Sequence, residues 1–125
     1  MDRFALVLAG GGIGALVRYI AATAIAQRFG ARFPWGTFAI NVTGSFAIGW
    51  LMTLFTEQWR PHTNLRLLLV VGFLGGYTTF SSFEYEALRT IQDGQLGLGL
   101  LYVALSVCFG FIAVWGGVMT GRAIP

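Results

Sequence analysis

Four long apolar runs dominate the chain and leave few choices about what it can fold into. They cover Phe4 to Ala26, broken only by Arg18; Trp35 to Thr56; Leu67 to Phe83, with a pattern continuing to about Leu88; and Leu96 to Gly121. A helix needs about 20 residues to cross the hydrocarbon of a bilayer. In lipid only helices and closed barrels satisfy their own backbone polar groups. The strict two-residue alternation of barrel strands is missing. The sequence therefore predicts an all-α membrane protein with four transmembrane helices, at about residues 4–27, 35–56, 66–89 and 96–121.

Only 10% of the 125 residues are charged, against about a quarter in ordinary soluble domains. That is too little polarity to cover a soluble surface, which excludes soluble enzymes and disordered tails. The connections are short turns: Arg28 to Pro34, Glu57 to Asn64, and Asp93-Gly94. They leave room for one domain, residues 1–125. The N-terminus runs from Met-Asp-Arg into the first apolar stretch with no small-residue cleavage site. It is expected to be the first span and not a removed signal peptide.

All eight basic residues are arginine, and the net charge is +3. They are scattered between apolar runs and form no basic patch, so nucleic acid is not an expected partner. Four spans put both termini on the side of the second turn. Arg3, Arg60, Arg66 and Arg122 fall there, and Arg28, Arg32 and Arg89 fall on the other side. Membrane orientation is set by an excess of Lys and Arg on one side, and here the bias is almost absent. Either the chain inserts both ways or other signals fix its direction. The even count favours dual topology.

Several motifs have a packing reading that outweighs a catalytic one. Gly10-Gly11-Gly12-Ile13-Gly14-Ala15 loosely matches a dinucleotide-binding turn, but no acid stands about 20 residues on. Gly10/Gly14, Gly72/Gly76 and Gly117/Gly121 share the spacing that lets helix backbones approach in lipid. Asn41-Val42-Thr43 has the glycosylation pattern, yet it lies mid-span. Cys108 has no partner for a disulfide, and His62 stands alone in a turn. No nucleophile with its base is visible, so no enzyme is expected. No nucleotide-binding G-x-x-x-x-G-K-[ST] is present either.

Polar residues inside the spans carry the functional signal. Asn41 is an amide in hydrocarbon, read equally well as interhelical glue or as pore lining. Gly44, Ser45 and Ile48 continue its face. The third span contains Gly75-Gly76-Tyr77-Thr78-Thr79-Phe80-Ser81-Ser82-Phe83-Glu84-Tyr85-Glu86. A glycine pair followed by hydroxyl residues is poor helix sequence, so a break is expected there. Backbone freed in this way is tolerated only where it is buried in protein or lines a cavity. The competing reading is a kinked helix whose hydroxyls bond their own backbone.

Beyond the break, Thr79, Ser82 and Glu86 share one face, as do Phe80 and Phe83. In the fourth span Tyr102, Ser106, Phe109 and Gly110 form another stripe. Hydroxyls, one amide and phenylalanine edges suit a small anion held weakly enough to leave. Arg18, the one basic residue deep in a span, is expected to pair with carbonyls or a carboxylate, or to hold anions at a pore mouth.

At these residues the sequence resembles the Fluc/CrcB fluoride channels, and the likeness covers essentially the whole chain. It rests on the glycine-rich start followed by Arg18, on Trp35-Gly36-Thr37 leading to Asn41, and above all on Gly75-Gly76-Tyr77-Thr78-Thr79-Phe80-Ser81-Ser82-Phe83. The resemblance implies a passive fluoride channel of the bacterial cytoplasmic (inner) membrane that exports fluoride and gives resistance to its toxicity. It further implies an antiparallel, dual-topology homodimer in membrane lipid, with a third helix broken mid-membrane.

By similarity, Phe80, Phe83, Asn41, Thr79, Ser82, Tyr102 and Ser106 border the fluoride pathway. The backbone carbonyls of Gly75 and Thr78 match those that hold a central structural Na+. Arg18 and Glu86 stand near the mouths, and no organic cofactor is implied. Two departures are visible: Gly110 stands where some relatives carry a hydroxyl, and Glu84-Tyr85-Glu86 is more acidic than in some relatives. The rival is a small dual-topology, proton-coupled multidrug exporter. Such transporters rely on an intramembrane carboxylate, whereas the first helix here has Arg18 and no acid. A structural subunit whose Gly and Phe residues only pack is the third possibility.

Overall fold

A computed structural model describes residues 2–125. Four helices are long and apolar enough to cross a membrane: Arg3–Phe29, Trp35–Gln58, Thr63–Gln92 and Leu96–Ala123. No strand occurs among the described residues.

Local signals at the helix ends follow the residue types. The Asp2 side chain accepts the Phe4 N–H at 3.2 Å and so caps the first helix. That helix ends at Gly30, whose φ of 83° reverses the chain. Pro34 then starts the second helix. It runs as α-helix over Trp35–Thr53 and widens to a π-helical turn over Leu54–Gln58. At its end Arg122 of the fourth helix pairs with Glu57 at 3.1 Å, an exposed contact.

The third helix is irregular in two ways. After one α-turn, Thr63–Arg66, it is π-helical through Leu67–Leu74. It closes with a short α segment, Gly75–Tyr77, and then breaks: Thr78 is extended at φ −82° and ψ 155°. A second helical half, Ser81–Gln92, follows. The glycine pair and the hydroxyl run coincide with this interruption.

Glycines set how the helices pack. A β-carbon on Gly10 or Gly14 would strike the Leu68 or Phe73 carbonyl oxygen, and one on Gly76 would strike that of Gly11. The first helix and the first half of the third thus touch backbone to backbone. The second and fourth helices do the same, with Gly117 against Phe46 and Gly49 against Val114. All three G-x-x-x-G pairs are packing devices.

The second half of the third helix changes partner. Gly99 of the fourth helix receives Ile91 and the Ala87 carbonyl. Phe33, Phe83, Ala87 and Tyr102 form the largely apolar core there, with Phe38, Leu98 and Leu105 around it. The break is the point where the third helix leaves the first helix for the fourth.

Candidate functional site

Breaking a helix in hydrocarbon frees backbone groups that must find other partners. Asn41 supplies the main one. Its Nδ2 donates to the Thr79 carbonyl at 2.8 Å, and its Oδ1 accepts the Thr79 N–H at 2.8 Å. One side chain thereby replaces both helical bonds of one residue. Asn41 is glue and groove lining at once, since it also faces the cavity described below.

Other polar groups complete the repair. Thr78 Oγ1 donates back to the Leu74 carbonyl at 2.9 Å. Thr79 Oγ1 accepts the Ser82 N–H at 3.2 Å and so caps the second helical half. Arg18 Nη1 donates to the Thr78 carbonyl at 3.4 Å. Of the roles open to Arg18 in the sequence, the structure selects the carbonyl partner.

Two carbonyls at the break retain free acceptor capacity. The Thr79 N–H, which a continuous helix would direct at Gly75, goes to Asn41 instead. The Thr78 carbonyl has only the Arg18 contact. Carbonyls of unwound membrane helices are suitable donors for Na+, so the Gly75 and Thr78 oxygens fit such an ion chemically. No cluster of three or more His, Cys, Asp or Glu that could hold a metal occurs among the described residues.

Beside the break lies an open groove of about 720 Å³, lined by Asn41, Ser45, Thr79, Phe80, Phe83 and Ser106 among others. The two phenylalanines sit differently. Phe80 is 70% exposed, whereas Phe83 is 7% exposed and wedged into the core. Their ring centroids are 5.8 Å apart. Tyr102 meets Phe83 edge-on, at 5.2 Å and 74°.

The polar track expected from the sequence is only partly in the groove. Ser106 lines it, while Ser82 and Tyr102 do not. Tyr102 is fully buried behind Phe83. Its hydroxyl and the Ser106 Oγ are buried without a hydrogen-bond partner. Glu86 is tied to the second helix. Its carboxylate accepts the Thr37 hydroxyl at 2.6 Å. Thr37 is the polar residue that sequence reasoning passed over as part of Trp35-Gly36-Thr37. Its signal was a hydroxyl one helical turn before Asn41.

Comparison with known proteins gives the family. The family described as "CrcB-like protein, Camphor Resistance (CrcB)" matches residues 5–118. The chain is 53% identical over 120 residues to a fluoride-specific ion channel FluC of Solibacter usitatus, covering 96% of this chain and 98% of the relative. It is 47% identical over 122 residues to a protein of the same name from Acidobacterium capsulatum, with 98% of each covered. A third, from Rhizobium meliloti, is 41% identical over 124 residues, with 99% of each covered. The matched range spans most of the chain, and the chain belongs to the CrcB-like family.

Proposed function

We propose that this chain is a fluoride-selective passive channel and a multi-pass protein of the bacterial cytoplasmic membrane. The names of its relatives supply the ion. The observation that carries the reading in this chain is the open groove beside the break, where the Asn41 amide, Thr79, Ser106 and the rings of Phe80 and Phe83 come together. A buried hydroxyl without a partner is costly unless something binds it. The Ser106 Oγ is such a hydroxyl, on a residue that lines the groove. The second Asn41 N–H and the ring edges of Phe80 and Phe83 add weak positive character. The amide end of helix Ser81–Gln92 adds its dipole.

These groups replace the water shell of a small, strongly hydrated anion. They hold it weakly enough to let it leave, because no fixed cation lines the groove. Fluoride that enters a cell as neutral HF ionises inside and leaves down its gradient through such a path. Protein in liposomes is expected to release fluoride, read by a fluoride electrode, without a proton gradient and without comparable chloride release. Proton-coupled cation transport would favour the exporter, and no flux at all a packing subunit. Phe80→Ile and Phe83→Ile are each expected to lower fluoride efflux about tenfold or more while leaving the assembly intact, since the edge interaction is lost.

The working unit proposed is an antiparallel homodimer of dual topology. The groove is open on one side in a single chain, and Val71, Phe80 and Phe111 at its margin are exposed and apolar. A second copy closes it. The even arginine count supports opposite insertion. Gln58→Arg with Thr63→Arg loads one side with positive charge; Gln27→Arg, Gln92→Arg and Gln95→Arg load the other. Each set alone is expected to abolish efflux, and co-expression of the two to restore it. In the same unit, Gly75 and Thr78 carbonyls of both copies are proposed to hold a structural Na+ at the two-fold axis.

A further inference from the structure

Three consecutive residues of the break dock on three neighbouring residues of the second helix. Thr79 is held by Asn41. The Thr78 methyl and the Tyr77 ring press on the bare face of Gly44. The Tyr77 hydroxyl lies 2.9 Å from Thr43 Oγ1. The direction of that last bond follows from the other bonds of Thr43. Its one hydroxyl proton is already directed at its own helix, to the Ala39 carbonyl at 2.7 Å and the Ile40 carbonyl at 3.1 Å. Tyr77 is therefore the donor and Thr43 the acceptor.

Tyr77 stands in an unusual place. Between the Gly75 and Thr78 carbonyls, Gly76 offers no side chain, and the Thr78 hydroxyl is spent on the Leu74 carbonyl. Tyr77 is the side-chain anchor of that stretch. Its ring stacks on Phe73 at 5.9 Å and 11°, which fixes the plane of the ring. Its hydroxyl then fixes the distance to the second helix. Gly76 is seated on the Gly11 backbone and Asn41 holds the Thr79 N–H, in the same peptide plane as the Thr78 carbonyl; Tyr77 adds the side-chain tie between these two fixed points.

We propose that Tyr77, held by Thr43, is a positioning residue that acts with the Asn41 clamp to set the orientation of the Gly75 and Thr78 carbonyls and thereby their affinity for Na+. The inference rests on the sodium site proposed above and concerns the residue that tunes it. It also gives Thr43 a role: the threonine of the intramembrane Asn41-Val42-Thr43 triplet is an acceptor for the neighbouring helix.

The test uses purified full-length protein in detergent. NaCl is exchanged for N-methylglucamine chloride at constant ionic strength, and the thermal unfolding midpoint is read at each sodium concentration. A ligand that binds only the folded state raises that midpoint with its concentration. The wild-type midpoint is expected to rise with sodium. Tyr77→Phe and Thr43→Val are each expected to raise the sodium concentration for half-maximal stabilisation about fivefold, the worth of one hydrogen bond. Thr43→Ser keeps the acceptor and is expected to stay within about twofold of wild type. The double variant Tyr77→Phe/Thr43→Val is expected to shift no further than either single one.

Equal loss of stability at every sodium concentration would reduce the bond to a structural contact and overturn the proposal, leaving the sodium site standing. A wild type indifferent to sodium would overturn the site and the proposal together. Fluoride efflux from liposomes tests the channel reading separately.

Discussion

Asn41→Leu is expected to abolish fluoride efflux and to destabilise the folded chain by about 2–6 kcal/mol, since a buried group left unsatisfied costs about 1–3 kcal/mol. Two such groups would be orphaned, the N–H and the carbonyl of Thr79. Leucine keeps the branched shape of asparagine but is bulkier and has no polar atom, so the loss combines the missing hydrogen bonds with the strain of the larger side chain. Thermal unfolding in detergent gives the stability, and electrode recordings from liposomes give the flux. The two effects are expected together, because the same amide holds the break and faces the groove. Full efflux with unchanged stability would show that the break persists without its clamp.

The second large effect lies at the glycine seam. Gly14→Ala is expected to prevent recovery of folded protein, while Gly12→Ala on the same helix leaves yield and efflux unchanged. A β-carbon at Gly14 would collide with the Phe73 carbonyl oxygen and come within 3.0 Å of the Tyr77 nitrogen, both backbone atoms that cannot swing aside. At Gly12 nothing lies within 4 Å. Overpacking costs about 1–3 kcal/mol and occasionally more. Here the strain falls on the segment that leads into the break. Size-exclusion profiles of the two variants in detergent decide it. A normal profile for Gly14→Ala would mean that the first and third helices are not held at backbone contact.

The helices were legible because hydrophobic length alone sets them in lipid. The uncharged run from Trp35 and the run from Leu96 start where the helices start. The break was legible for a local reason as well: Gly75-Gly76 and the hydroxyls after them are poor helix formers wherever they stand. What was not legible depends on which elements meet. Thr37 and Glu86 are 49 positions apart, and only the crossing of the second helix with the far half of the third brings them to 2.6 Å. Tyr102 reads as one more member of a helical stripe, yet Phe33, a turn residue, closes over it at a centroid distance of 5.3 Å. The π-helical stretch Leu67–Leu74 turns the residues after it away from the face that ordinary helical spacing predicts. Ser82 is exposed and does not line the groove, so shared spacing with Thr79 was not enough to bring it there.

The change of partner at the break has a consequence for biosynthesis. When the first two helices leave the ribosome, Gly36 can already meet Ala22. Asn41 and Arg18 then sit in the bilayer with their partners, Thr79 and Thr78, not yet made. The second helix finds its most extensive contact only in the last segment to be synthesised. The nascent chain must therefore wait beside the translocon as a loose hairpin, and assembly is completed from the C-terminal end.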